Sequence, residues 1–393
     1  MTSLRFSVIA VIFVSVFYQW WLKDALFVTL GIGRKVESIE RFPYKCRQLT
    51  HEQLEACGDM WLDEKSRVLY AACVGMEARE QWNPSLSRFN ASGRRPGGSE
   101  VMAVYIDKPR KDGLFKMHKI SPTGYGSGPG EGRLDLTGFD VEVVDDYTLR
   151  FWLLNQRPPY SSSGQILDAS KFGANTTIDV YEYKKGEKKM TYLAMGKSSA
   201  LHSPNKIAFM GGNNFVVSND RSAKIGFRKR FDPLFKSGSL VYHDDWFDSY
   251  VTTPKSVPYP GLITRGPDDR VYVPSLVDDR IRIFELRQGG TFDQVYAMKL
   301  GMPITGVTVD SEGDFWAVGR SKYDPKGFSS SNTLFKVEKF VERRFRYIPT
   351  RVLEDKEAQA IQGASVARHD VKTKRLFLGG AFMPFITVCE VQS

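Results

Sequence analysis

The chain reads as an all-β protein, a six-bladed β-propeller closed by its N- and C-terminal strands, and three observations predict it. A two-strand unit recurs six times, stretches of period-2 alternation lie between the recurrences, and the composition favours turns. Among 393 residues there are 34 Gly and 19 Pro, aromatics make up 13%, and no long block of like charge occurs. That balance suits many short strands joined by tight turns better than a helical protein. The clearest unit is Leu201-His202-Ser203-Pro204-Asn205-Lys206-Ile207-Ala208-Phe209, where a polar pair opens an apolar run. A Gly211-Gly212-Asn213-Asn214 turn then leads into Phe215-Val216-Val217-Ser218, the chemistry of a hairpin.

The same unit aligns at 58–62 leading to 68–70, 137–141 to 149–152, 205–207 to 215–217, 260–263 to 271–273, 305–309 to 315–318 and 362–366 to 376–378. Its starts fall 45 to 79 residues apart, room for a four-stranded sheet with variable loops. Later strands of each sheet alternate apolar and polar residues: Asp179-Val180-Tyr181-Glu182-Tyr183, Ile281-Arg282-Ile283-Phe284-Glu285-Leu286 and Leu334-Phe335-Lys336-Val337. Such alternation predicts strands with one buried face. Residues 42–393 are therefore expected to form one propeller with no second domain. Its main insertions are 82–99 and 124–133, both read as Gly-rich loops, and 221–235, read as a short basic amphipathic helix near the mouth. The run Gly124-Tyr125-Gly126-Ser127-Gly128-Pro129-Gly130 lacks Gly-Lys-Ser/Thr and reads as a loop, not a phosphate cradle.

Residues 1–33 are expected to be a signal peptide or signal anchor containing an N-terminal hydrophobic helix. Residues 7–22 are mostly apolar and end in Tyr18-Gln19-Trp20-Trp21, an aromatic pattern suited to a membrane interface. About 15 apolar residues fall short of the roughly 20 of a full span and match a secretory core. The expected location is the secretory lumen or outside the cell, with membrane association through this segment. Asn90-Ala91-Ser92 and Asn175-Thr176-Thr177 are glycosylation sequons in turn-like sequence. Four cysteines allow three pairings. Cys57 and Cys73 flank a turn almost symmetrically, which leaves Cys46 and Cys389 to tie the ends of the chain; the alternative is four buried thiols. The net charge of +10 is diffuse. No basic cluster is interleaved with aromatics, so nucleic acid is not expected as a partner.

Residues 201–220, the ending 362–366 through Val388-Cys389-Glu390-Val391, and Cys46 before the first unit resemble the serum paraoxonase and arylesterase family. The similarity covers roughly 42–391. It implies a six-bladed propeller, a disulfide between Cys46 and Cys389, an uncleaved hydrophobic N-terminus and two calcium ions in the axial tunnel. The resemblance places the catalytic-calcium ligands at Gly58, Asn205, Pro260, Gly306 and Thr305, of which Asn205 alone retains the family's residue type. Calcium needs six to eight oxygens, so no metal is expected there. The two Asp positions of the second calcium fall on Asp59 and Lys206. Lys206 is expected to pair with Asp59 across the tunnel and take the cation's place; the alternative has Lys206 in solvent. The family's general-base histidines fall on Thr137 and Gln156. No Gly-x-Ser-x-Gly elbow is followed by Asp and His in a serviceable order.

What remains is a tunnel expected to be lined by Thr137, Gln156, Asn205 and Thr305 as catalytic hydrogen-bonding groups, with Phe139, Gln362 and Trp316 contacting substrate. Such a lining activates water poorly but can hold neutral reactants together and donate hydrogen bonds to a carbonyl. The segments Cys57-Gly58-Asp59-Met60-Trp61-Leu62 and Leu69-Tyr70-Ala71-Ala72-Cys73 are similar to the fungal branch of the family. That branch includes metal-independent hetero-Diels-Alderases of tropolone sesquiterpenoid pathways, which join an o-quinone methide to humulene. The leading expectation is such a pericyclase in secondary metabolism, with polyketide and terpene substrates and no cofactor. The alternatives are a lactonase or arylesterase with a degenerate calcium site, and a non-catalytic ligand-binding propeller.

Overall fold

A computed structural model of the chain describes residues 12–125, 132–245, 248–324, 330–341 and 345–392. The regular elements of the described residues are mostly strands, and their sheets are largely antiparallel meanders. Pro204–Gly211, Asn214–Asn219, Ser239–Asp244 and Ser249–Thr252 form one four-stranded sheet in chain order. Thr264–Arg265, Val271–Pro274, Arg280–Leu286 and Phe292–Lys299 form a second, and Ile304–Val309, Phe315–Arg320, Asn332–Val341 and Phe345–Glu354 a third. A fourth joins the two ends of the chain: Tyr44–Leu49 lies beside Ile386–Val391, followed by Arg375–Gly379 and Val366–Asp370. The remaining large sheet has eight strands. Two meanders, Cys57–Asp63 to Phe115–Thr123 and Leu136–Val143 to Lys189–Gly196, meet edge to edge through a parallel pairing of Lys189 with Ser121.

The strand that begins each meander is the innermost, and these strands approach one another by backbone. Leu262 N donates to Thr305 O at 2.9 Å, and Val307 N returns the bond to Leu262 O at 3.1 Å. Glycine permits this contact: a Cβ on Gly261 would lie 2.2 Å from Thr305 O, and one on Gly306 would lie 2.2 Å from Ser365 O.

Both faces of most sheets are covered by neighbouring sheets, which changes the meaning of the alternating strands. All six residues of Val68–Cys73 are buried. In Arg280–Leu286 the expected solvent-facing Arg282 is buried and paired with Asp278 by two bonds of 3.1 and 2.6 Å. Asp179 is likewise buried and accepts from Asn155 Nδ2 at 2.7 Å. The period-2 pattern marks the strands, but a polar position in it can face an ion pair or an amide instead of water. Among the insertions, 82–99 carries a small hairpin, Trp82–Asn83 with Arg88–Phe89, not merely a loop. Residues 227–235 form two short helical turns. Residues 126–131 of the Gly-rich loop lie outside the described residues.

At the N-terminus residues 1–11 also lie outside the described residues, and helical turns run through 12–29. No described helix is long and apolar enough to cross a membrane. The segment after the turns docks on the body: Thr29 Oγ1 donates to Val277 O at 2.7 Å, and Arg34 donates to Gly301 O at 2.8 Å. Asn90 is exposed, with Ser92 Oγ donating to its Oδ1 at 2.7 Å. Asn175 is not in a turn. It is the first residue of Asn175–Lys184, and Thr176 and Thr177 are buried.

Cys46 is bonded to Cys389 and Cys57 to Cys73, and no cysteine is free. The first bridge closes 343 residues and the second 16. Loop-closure entropy grows with the logarithm of loop length, so the first should stabilise more by about 2–3 kcal/mol. Urea unfolding should show the Cys46→Ala/Cys389→Ala variant losing more stability than Cys57→Ala/Cys73→Ala. The reverse order would show that the ends are held mainly by strand pairing.

Candidate functional site

The innermost strands all begin around one point, and a cavity of about 130 Å³ lies there. Gly58, Thr137, Asn205, Leu262, Thr305 and Ser365, one from the start of each innermost strand or the turn before it, contribute to its wall. Residues outside the innermost strands complete it: Arg79 on the helix Met76–Gln81, Ser85, Asp220, Tyr259, Arg320 at the end of Phe315–Arg320, and Tyr323.

The scaffold residues differ in what they still offer a ligand. Thr305 Oγ1 donates to Val318 O at 3.0 Å, so its proton is committed. Asn205 Nδ2 has only a long 3.5 Å contact with Pro260 O. Thr137 Oγ1 is buried without a partner, and so is Gln156 Oε1. Gln156 lines a small void beside the cavity, together with Thr137 and Arg79, and its Nε2 donates to Pro204 O at 3.2 Å.

Three of the expected substrate contacts lie elsewhere. Phe139 and Trp316 are buried among the sheets, because each is the large apolar residue that fills the gap between neighbours. Trp316 Nε1 donates to Asp310 Oδ2 at 2.8 Å, and its ring covers His369 at 4.3 Å. Gln362 does not line the cavity. Phe139 contributes through its backbone instead. Its N–H donates to Asp59 Oδ2 at 2.9 Å, and its carbonyl accepts from Lys206 Nζ.

Lys206 Nζ also lies 2.5 Å from Asp59 Oδ2, with both side chains almost wholly buried. Asp59 Oδ1 accepts from Met60 N at 2.9 Å. One carboxylate and one ammonium thus link the strands Cys57–Asp63, Leu136–Val143 and Pro204–Gly211. Nearby, burial pushes the Asp140 carboxyl above its ordinary range, opposed by Lys206 and by the N–H groups of Phe209 and Val141.

The loops supply what sequence reading missed. Asp220 accepts from Ser85 Oγ with one oxygen and from Ser203 Oγ at 2.6 Å with the other. Tyr259 and Tyr323 meet edge to face at 6.2 Å, and burial raises both phenols, Tyr259 well above its usual value. Burial lowers Arg320. Asp220 closes the hairpin that begins at Asn205, so a signal was present; Arg79 sits in the short helix Met76–Gln81 and Tyr323 in an irregular segment, neither of which belongs to the repeat. None of the five histidines lines the cavity. Among the described residues no group of three or more His, Cys, Asp or Glu is arranged to hold a metal.

The signature of a family described as Arylesterase matches residues 169–390, more than half of the chain. The chain belongs to this arylesterase family. Human serum paraoxonase/arylesterase 1 is 21% identical over 244 residues, covering 59% of this chain. The chain spans 63% of the length of that curated relative. Among solved structures, a luciferin-regenerating enzyme aligns with TM-score 0.48 at 8% identity, over 88% of this chain and 95% of that one. A gluconolactonase of Xanthomonas campestris aligns with TM-score 0.46 at 14% identity, over 93% of this chain and 92% of that one.

The buried pair gives a direct test. Lys206→Met leaves Asp59 charged and unpaired, and the loss of stability should be about 3–5 kcal/mol. Asp59→Asn with Lys206→Met removes both charges and should recover part of that loss. Chemical unfolding of the two single variants and the double variant measures the coupling. Additive losses would mean that the two groups do not act as a pair.

Proposed function

We propose that the central cavity is the active site of an enzyme acting on a carbonyl-bearing organic molecule, and that its reaction is cleavage of an aryl ester or lactone. In this reading residues 42–393 are one propeller of six blades, the eight-stranded sheet counting as two. Family membership supports the reaction class. The observation that carries it is the Ser85–Asp220 pair in the cavity wall. A carboxylate held by two serine hydroxyls has lone pairs left to take a proton from Ser85 or from a water beside it. Arg79, Thr137 and Asn205 line the same cavity and can donate to the oxyanion that forms on the carbonyl.

The reaction does not pass through calcium, because the residues present do not fit the ion. A ligand side chain at Gly306 would begin 2.2 Å from Ser365 O, and one at Gly58 would begin 3.3 Å from Ala381 Cβ. At the second position an ammonium already contacts Asp59 Oδ2 and would repel a divalent cation.

A second reading is favoured by the apolar part of the wall. Leu86, Leu262, Leu276 and Phe382, with the rings of Tyr259 and Tyr323, can hold a polyene. A groove of about 620 Å³ shares Ser85, Leu86 and Tyr323 with the cavity and gives room for a second reactant. This would suit a metal-independent hetero-Diels-Alder reaction between an o-quinone methide and a humulene-type sesquiterpene, driven by preorganisation and a hydrogen bond to the quinone-methide oxygen.

Purified protein should hydrolyse phenyl acetate or an aryl lactone above the buffer rate, equally with and without a calcium chelator. Asp220→Asn should lower kcat by about 100-fold or more. Inertness toward esters and lactones, with faster adduct formation from quinone methide and humulene, would move the assignment to the second reading. Turnover abolished by the chelator would overturn the metal-free proposal.

Two disulfides point to an oxidising compartment. Made there, the chain should carry a glycan at exposed Asn90 and none at Asn175. A mass shift on glycosidase treatment, lost in Asn90→Gln, checks this.

A further inference from the structure

Arg79 stands in the wall between the central cavity and a void of about 10 Å³, and it lines both. Its side chain is 95% buried (5% exposed), yet its one hydrogen bond is from Nη2 to Leu136 O at 3.2 Å, and Nε has no partner. Burial pushes its pKa down to about 10, so it is cationic at neutral pH. The acid that acts on it is Asp135. That carboxylate is already bonded to Arg94 at 2.8 Å and also feels Arg133 and Arg157. Asp135 is thus held by Arg94, while Arg79 itself makes no ion pair with it.

The acids of the cavity wall do not offset Arg79. Asp220 is held by Ser85 and Ser203, and Asp324 acts on Arg320. Beside Arg79, Thr137 Oγ1 is a second buried group without a partner. A buried guanidinium that lacks its own counter-ion is stabilised by one brought in from outside, and its fork of N–H groups suits a carboxylate or an ionised phenol.

We propose that the Arg79–Thr137 corner of the cavity binds an anionic oxygen, so that the molecule taken by this protein is an aryl or enol acid bearing a carboxylate or ionised hydroxyl. Arg79 binds the anion from the wall, and Thr137 donates its hydroxyl proton to it. The void behind Arg79 is the size of one water; a water there accepts from Nε and donates to Gln156 Oε1. This rests on reading the cavity as the substrate site, but not on the reaction that follows.

The experiment uses benzoate and its uncharged counterpart benzamide, neither of which reacts. Calorimetry on the full chain should show benzoate binding at least about tenfold more tightly than benzamide, a difference of about 1.4 kcal/mol. Arg79→Gln should abolish the preference, and Arg79→Lys should keep part of it. Thermal unfolding of the wild-type protein needs no variant: benzoate should raise the midpoint, and benzamide at equal concentration should not. Equal binding of the two, no benzoate binding at about 10 mM, or an undiminished preference in Arg79→Gln would each overturn the proposal. Because no turnover is measured, an inert esterase assay leaves this result standing, and a working one does not rescue it.

Discussion

Three innermost strands meet at a single ammonium. Lys206 reaches from Pro204–Gly211 to Asp59 and to the Phe139 carbonyl, while Asp59 accepts from Phe139 N at 2.9 Å. A buried pair of this kind contributes fixed geometry more than net stability, since desolvation offsets much of the attraction. Fixed geometry is what the axis requires. Gly138 sits beside the same point, where a Cβ would lie 2.7 Å from Asn205 O and 3.4 Å from Asp59 Oδ2. With the strands locked at that distance, any displacement of Lys206 would move the start of Pro204–Gly211, and with it Asn205 in the cavity wall.

The charges along the axis are arranged in two regimes. Around Lys206 the polar groups are matched: Asp59 has three donors, and Asp140 accepts from Val141 N at 3.0 Å and Phe209 N at 2.8 Å. At the cavity the balance shifts toward unpaired donors, with Arg79 Nε and Thr137 Oγ1 both buried and unpartnered. Natural structures leave few such groups without a ligand or water to meet them. The contrast separates the part of the axis that holds the fold from the part that is open to chemistry.

Much of the scaffold was legible in the sequence because its signals are local. The Gly-Gly-Asn-Asn turn at 211–214 and the apolar runs on either side fix a hairpin whichever sheet it joins. The cysteine positions also carried the pairing, since Cys57 faces Cys73 and Cys46 faces Cys389 in antiparallel register. Burial was less legible: Arg282 and Asp179 look like solvent positions until a neighbouring sheet covers them. The family resemblance assigns Thr137, Asn205 and Thr305 to the tunnel, and all three line the cavity, whereas Gln362 also begins a repeat and does not. Phe139 and Trp316 could not be placed, because alternation says that a residue faces one side without saying whether that side is tunnel or inter-sheet core. Asp220 and Tyr323 come from turns between strands, where no period links sequence distance to position, and Arg79 from a helix too short to carry a period of its own.

An ammonium and a divalent ion also differ as clips, and the difference bears on the cavity above. Calcium gathers six to eight oxygens, whereas an ammonium is satisfied by two or three acceptors. On the proposed metal-free reading, Asp59 and the Phe139 carbonyl suffice to hold Lys206, and the other strand starts are released from supplying oxygen ligands. Gly58, Pro260 and Gly306 then need only allow close approach, and Gly306 does so at a distance no side chain could share. The strands draw together at the axis, and the polar chemistry is left to residues outside the innermost strands, above all Arg79 and Asp220. A cavity built that way can change its ligand by changing loops, without disturbing the point at which the strands are joined.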